Sequence, residues 1–150
     1  MSQHPSTLRG FQPVFTVIGV LYILLASSML VRGVGLMREF AVPEGVVASP
    51  VFEDFFLFFY QLMAVVGLLT ILIGHVVRDR GGQLLFASFF WAINVLITVR
   101  DLSTSDSRFG NRLYRGDATL LPVYIDIVFA LAFGLLALSG LRSPRTSTGE

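Results

Sequence analysis

Four stretches of the sequence run for a span's length almost without charge: Gly10 to Val31, Phe55 to Val77, Gly81 to Val99, and Ala118 to Leu141, the last interrupted only by Asp126. A helix needs about 20 such residues to cross a hydrocarbon core of roughly 30 Å. Transmembrane strands would instead alternate apolar with polar over roughly 10 residues, and nothing here alternates. The runs therefore read as helices. The rest of the composition agrees, since 54% of the 150 residues are hydrophobic, only 14% are charged, and the mean hydropathy is +0.74. A soluble domain of this length would spread its charges over an outer face, whereas here they collect between the runs.

The fold class that follows is all-α: a polytopic membrane protein built as a four-transmembrane-helix antiparallel bundle. It forms a single integral membrane domain, with spans at about 11–31, 55–77, 82–99 and 119–141 and outer loops at 32–54 and 100–118. The first run follows Arg9 and holds the small residues Ala26, Ser27 and Ser28, as a secretory leader would. It is longer than the 7 to 15 residues of a leader's apolar region and ends at Arg32 like an ordinary span, so it is read as the first helix. The Arg78-Asp79-Arg80 turn is so tight that spans two and three are expected to be antiparallel neighbours.

Several chemistries are excluded or unsupported. Cysteine is absent, which removes disulfide scaffolds, thiolate metal sites and thiol redox reactions. His75 has only His4 as a second imidazole, so no metal site is expected, and no Walker loop, GxSxG, HExxH or dinucleotide fingerprint occurs. The reading is of a chain with no catalytic residue, metal or cofactor, and with no nucleic-acid partner. Nor is there the repeated pair of broken helices that builds secondary transporters.

All basic residues are arginine, which suggests a GC-rich bacterial genome and hence the bacterial cytoplasmic (inner) membrane. Four spans put both termini on one side with Arg9, Arg78, Arg80, Arg142 and Arg145. The opposite side holds Arg32, Arg38, Arg100, Arg108, Arg112 and Arg115, mostly in longer loops and mixed with acids. Cations close to span ends in short segments set orientation, so both termini are expected in the cytoplasm.

The first outer loop, GLMREFAVPEGVVASPVFEDF, carries Met37, Phe40, Val42, Val46, Val47 and Phe52 together with Pro43 and Pro50. It is too apolar to float in water and too broken to span, so it should lie against the bundle or the interface. The second, SDSRFGNRLYRGDATLLP, interleaves Phe109, Leu113 and Tyr114 with arginines, a mixture suited to lipid headgroups. Glu53 and Asp54 fall where acids favour the start of the second helix. Too many aromatics crowd FEDFFLFFYQ and FASFFW for a four-helix interior to hold, so some must face lipid or another protein.

Asp126 is the residue that most needs explaining. Counted inward from Ala118 it lies about eight residues deep, roughly 12 Å. The same depth falls near Tyr60 and Gln61 on the second span, Asn94 on the third and Tyr22 on the first, so that one polar layer forms from Tyr22, Tyr60, Gln61, Asn94 and Asp126. Arg100 lies one to two turns further out as a possible partner, and Asn94, Thr98 and Asp101 share a face at spacings of four and three. A lone carboxylate against lipid costs about 2.5 to 3.5 kcal/mol or more, so Asp126 should face the bundle interior or a protein partner. Three roles fit the layer: interhelical hydrogen bonding, a cavity for a lipid or sterol headgroup with Asp126 as acceptor or general acid-base, or contact with another subunit.

The order of YQLMAVVGLLTILIG, VLITVRDLSTSD and VYIDIVFALAFGLLALSGLR resembles the small bacterial four-helix membrane proteins called BphX-like and, more loosely, DoxX-like, over spans two to four. That resemblance carries over no catalytic residues. A second likeness, to sterol-isomerase-like four-helix proteins that use intramembrane acids, rests on Asp126 and Glu53. The functional expectation is a non-catalytic accessory or assembly subunit of a larger envelope complex, one concerned with lipid transport. Its partners would be membrane lipids and other membrane-protein subunits. The alternative is a lipid- or sterol-binding protein, or an isomerase-like enzyme using Asp126.

Overall fold

The computed structural model describes residues 7–39, 42–104 and 121–142. Its elements, in order, are α1 (Phe11–Arg32), a 3-10 turn (Val34–Arg38), the one-turn α2 (Glu44–Val47), α3 (Pro50–Val76), α4 (Arg80–Thr104) and α5 (Leu121–Arg142), with no strand among the described residues. Four of these helices are long and apolar enough to cross a membrane, over Phe11–Arg32, Pro50–Val76, Arg80–Ser103 and Val123–Arg142. The chain is a polytopic, all-helical membrane protein. Its outer faces carry the mark of a hydrocarbon solvent, with Val17, Leu96 and Leu131 each more than half exposed.

The helices outrun the apolar stretches. α3 starts five residues before Phe55, because Pro50 at its first position is already set to helical φ and Glu53 in the first turn complements the helix dipole. α4 runs on to Thr104, so Arg100 and Asp101 belong to a helix and not to a loop. α1 ends at Gly33, whose φ of 69° suits glycine and whose amide donates to the Met29 carbonyl at 2.9 Å. Asp79 accepts the Gly82 amide at the start of α4, a side-chain cap that turns the chain within three residues of α3.

Packing follows small residues. Hydrocarbon gives helices no hydrophobic reason to associate, so close van der Waals approach decides which pairs form. α1 and α3 cross backbone to backbone: a Cβ on Gly19 would lie 2.6 Å from the Gly67 carbonyl oxygen, and one on Gly67 would lie 2.7 Å from that of Gly19. Lower down, Gly74 admits Phe15. α4 and α5 form the second pair, where Gly134 receives the Trp91 indole and the Gly140 carbonyl accepts from Arg80 Nη2 at 2.6 Å. Both pairs are antiparallel. The tight turn therefore does not make α3 and α4 packing neighbours as the sequence suggests; they are antiparallel but pack along α1 and α5 respectively. A short link fixes only where two helices start, and small residues fix where they lie.

α1 is the centre of the bundle. Phe11 and Phe15 are buried with Phe133, and the Phe15 ring meets Phe90 of α4 at 5.4 Å and Phe133 of α5 at 5.1 Å, both edge to face. At the end of the bundle that holds the turn between α3 and α4, Gln83 ties three segments together, accepting from the Leu8 amide at 2.7 Å and donating to the Val77 carbonyl at 2.9 Å.

The first outer loop folds into a cap over α1 and α3. Leu36, Met37 and Val47 are buried against Phe56, with Met29, Val42, Phe52 and Tyr60 packed around them. Two exposed ion pairs sit outside this cluster, Arg32 with Glu39 at 3.1 Å and Arg38 with Glu44 at 2.7 Å. The Arg38 fork on Glu44 holds that carboxyl below the usual carboxylate range and the guanidinium above its own. Of the first-loop residues, Phe40 lies outside the described residues, as does the second outer loop with Phe109, Leu113 and Tyr114.

Candidate functional site

A polar centre lies between α1, α4 and α5, on the side of the bundle where α4 ends and α5 begins. It is built on one face of α4, where Asn94, Thr98 and Asp101 follow at spacings of four and three and are 1%, 9% and 4% exposed. The first two turn polar atoms back on their own helix: Asn94 Nδ2 donates to the Phe90 backbone carbonyl at 2.7 Å, and Thr98 Oγ1 to the Asn94 backbone carbonyl at 2.8 Å. That leaves the side-chain Oδ1 of Asn94 to face α1, and the Tyr22 hydroxyl donates to it at 3.4 Å. Tyr22 is steered there by Phe129 of α5, edge to face at 5.0 Å.

Asp126 reaches the same centre from α5. It is half-buried and lies within electrostatic range of both Asp101 and the Tyr22 hydroxyl. Asp101 is paired with Arg100 at 3.8 Å, and Arg100 reaches outward from the helix end. The Asn94, Thr98 and Asp101 face of α4 is thus approached by the Tyr22 phenol from α1 and, within electrostatic range, by Asp126 from α5. The arrangement joins α1 to α4 through the Tyr22–Asn94 hydrogen bond, and it brings Asp126 of α5 within electrostatic reach of Asp101.

Of the five residues that the sequence puts at one depth, Tyr22, Asn94 and Asp126 come together and Tyr60 and Gln61 do not. Tyr60 packs in the cap cluster, its ring 4.7 Å from Phe56 and 5.2 Å from Phe59. Gln61 is exposed on the side of α3 that faces away from α1. The count of depth does not hold for them: Tyr22 packs level with Gly67, six to seven residues along α3 from Gln61 and Tyr60, or about 9 to 10 Å at 1.5 Å per residue, and rotation about the helix axis turns Gln61 away as well. The stripe of α3 that faces the bundle is Phe56, Gly67, Thr70 and Gly74, and Gln61 lies opposite it. Arg100 neighbours the centre through Asp101 only. Sequence reasoning placed Thr98 and Asp101 on the Asn94 face without assigning them to the layer; the four-three spacing from Asn94 is the signal that finds them. Gln83 and Thr70 were missed, being single polar residues in otherwise apolar runs.

Beside the centre an apolar groove of about 320 Å³ runs between α4 and α5, lined by Trp91, Val95, Thr98, Ile127, Ala130 and Gly134 among others. It opens because Ala130 and Gly134 are small. Asp126 is not among its lining residues. A second hollow, about 280 Å³, lies beside the turn between α3 and α4, around Arg9, Gln12, Arg78 and Gln83.

Comparisons with protein-family models, with curated proteins and with solved structures find no match. Geometry and chemistry therefore carry the functional reading.

Proposed function

We propose that this chain is a non-catalytic integral membrane protein that serves as an accessory or assembly subunit of a larger bacterial envelope complex. In this reading it resides in the cytoplasmic membrane with both termini in the cytoplasm, its neighbours are lipids and other membrane-protein subunits, and the complex works in lipid transport. One observation carries the reading: among the spans α3 packs along α1 alone, leaving Phe55, Phe58, Phe59 and Gln61 uncovered on its outer half. Aromatic rings and an amide on one uncovered face are the composition of a protein contact more than of a lipid-facing surface. The α4/α5 groove, almost wholly apolar, supports the lipid setting.

The test is the size of the native particle. Extracted from its own membranes in mild detergent, the 16.5 kDa chain should travel in a larger assembly with other membrane proteins. Migration alone at bundle size would contradict the reading. A second reading, lipid or sterol binding or isomerisation by an intramembrane acid, is favoured by the groove lying next to Asp126 at Ile127. Asp126→Asn separates the two. A subunit tolerates the near-isosteric amide and still assembles, whereas an acid-base catalyst loses turnover with its fold intact.

A further inference from the structure

The outward side of α3 has a regularity beyond being apolar. Asp54, Phe58, Gln61, Val65, Leu68, Leu72 and His75 follow one another at spacings of 4, 3, 4, 3, 4 and 3, and all are exposed. The four large apolar members are between 49% (Val65) and 62% (Phe58) exposed, although they lie on a helix whose opposite face is fully used against α1. A four-three alternation is the seam of a left-handed helix pair, the commonest packing of spans in membranes. Its ends are polar, with Asp54 at the outer interface and His75 at the inner one, so the apolar part of the seam matches the span.

Gln61 identifies what covers the seam. It is the one carboxamide exposed in the interior of a described span, about 10 Å inward from Asp54 at 1.5 Å per residue. It makes no hydrogen bond to the described residues. Acyl chains can cover the phenylalanine and leucines but offer an amide no partner. A second copy of the chain does. Two copies inserted the same way round hold Gln61 at the same depth, and a carboxamide carries both donors and an acceptor, so the group complements itself across a two-fold axis along the membrane normal. An unrelated partner would need its own polar group at that height and on that face.

We propose that α3 pairs with α3 of a second copy along this seam, with the two Gln61 amides bonded to each other a third of the way along it from Asp54. The inference rests on the reading of α3's outer face as a protein-binding surface, and it names the partner. A single polar seam residue also sets register, since any slip along the axis separates the two amides.

The test uses the absence of cysteine, which makes single substitutions unambiguous. Phe58→Cys, Val65→Cys, Leu68→Cys and Leu72→Cys, with Gln61 retained, are oxidised in native membranes beside the controls Leu96→Cys and Leu131→Cys on the exposed faces of α4 and α5. Seam positions should give a disulfide-linked dimer of the chain and controls little. Adding Gln61→Leu should lower the cross-linked fraction at dilute protein-to-lipid ratio, with a dimer affinity weaker by about 3- to 18-fold, the range of one intramembrane hydrogen bond. Leucine would strengthen such a seam in water, so a loss marks the amide as the driving contact in lipid. Dimers without seam periodicity, or a dimer indifferent to Gln61→Leu, overturn the proposal. A native particle larger than the bundle with no self-cross-link at the seam also overturns it while leaving the subunit reading standing; a lone, uncross-linked chain overturns both.

Discussion

A methyl group is enough to part α1 from α3. Built on Gly19 it would press on the Gly67 carbonyl and Ile71, and built on Gly67 it would press on the Gly19 carbonyl and Ile23, with backbone atoms that cannot swing aside. Gly67→Leu should therefore lower the stability of the bundle in detergent by about 1 to 3 kcal/mol or force the two helices apart, measured as a lower denaturation midpoint of the purified protein. At this scale the sequence was informative about height on α1, α4 and α5 and silent about direction. Asn94, Tyr22 and Asp126 share a depth that can be counted from span ends, and they meet. Gln61 misses that depth, lying six residues from Gly67, the residue of α3 level with Tyr22, and it faces the other way, because the stripe of α3 that turns inward is chosen by Gly67 and Gly74 pressing on α1. Gly67 and Gly74 are readable as close-approach residues, but which helix approaches them is a fact of the folded chain.

Among elements, the outer cap shows how a segment with too many apolar residues for water and too many prolines for a span is used. The turn Val34–Arg38 and α2 fold Leu36, Met37 and Val47 onto Phe56, and Arg38 clips the two pieces together through Glu44. The bond to Arg38 lowers the Glu44 pKa in the folded state. The clip's contribution is therefore present above the ordinary carboxylate range and is lost as pH falls through the lowered folded value. Titration of Glu44 followed by NMR should show it below a free glutamate, and Arg38→Gln should return it to the ordinary range; an unchanged titration in that variant would remove the clip from the account. Both groups are solvent-exposed, so added salt should shrink the shift. The cap's location was legible in its composition. Its internal structure was not, since a 3-10 turn and a single helical turn are set by contacts to Phe56 and Tyr60 and leave no periodicity of their own. Helix ends were blurred for a related reason: apolar runs mark where hydrocarbon begins, and α3 and α4 continue past that boundary on Pro50, Glu53, Arg100 and Asp101.

For the whole molecule, the number of spans and their alternation were legible because charge clustering reports the solvent directly. The lateral order was not. α3 lies beside α1, with α4 and α5 packed as the other pair, and this order both gathers the Tyr22, Asn94 and Asp126 centre and leaves the Gln61 seam outside. Membrane embedding is what makes such a surface stable, because Val20, Leu69, Leu96 and Leu131 are 40%, 50%, 67% and 60% exposed on the folded chain and only hydrocarbon can shelter them. The most direct measurement is the reaction of single cysteines at these four positions, at Gly45 in the cap and at Arg78 in the inner turn with a water-soluble, membrane-impermeant maleimide. The account predicts that the four span positions stay unreactive even in opened vesicles, that Gly45→Cys labels in intact cells, and that Arg78→Cys labels only once the cytoplasmic side is opened. Labelling of the span positions from water, or of residues 45 and 78 from the same side, would contradict it.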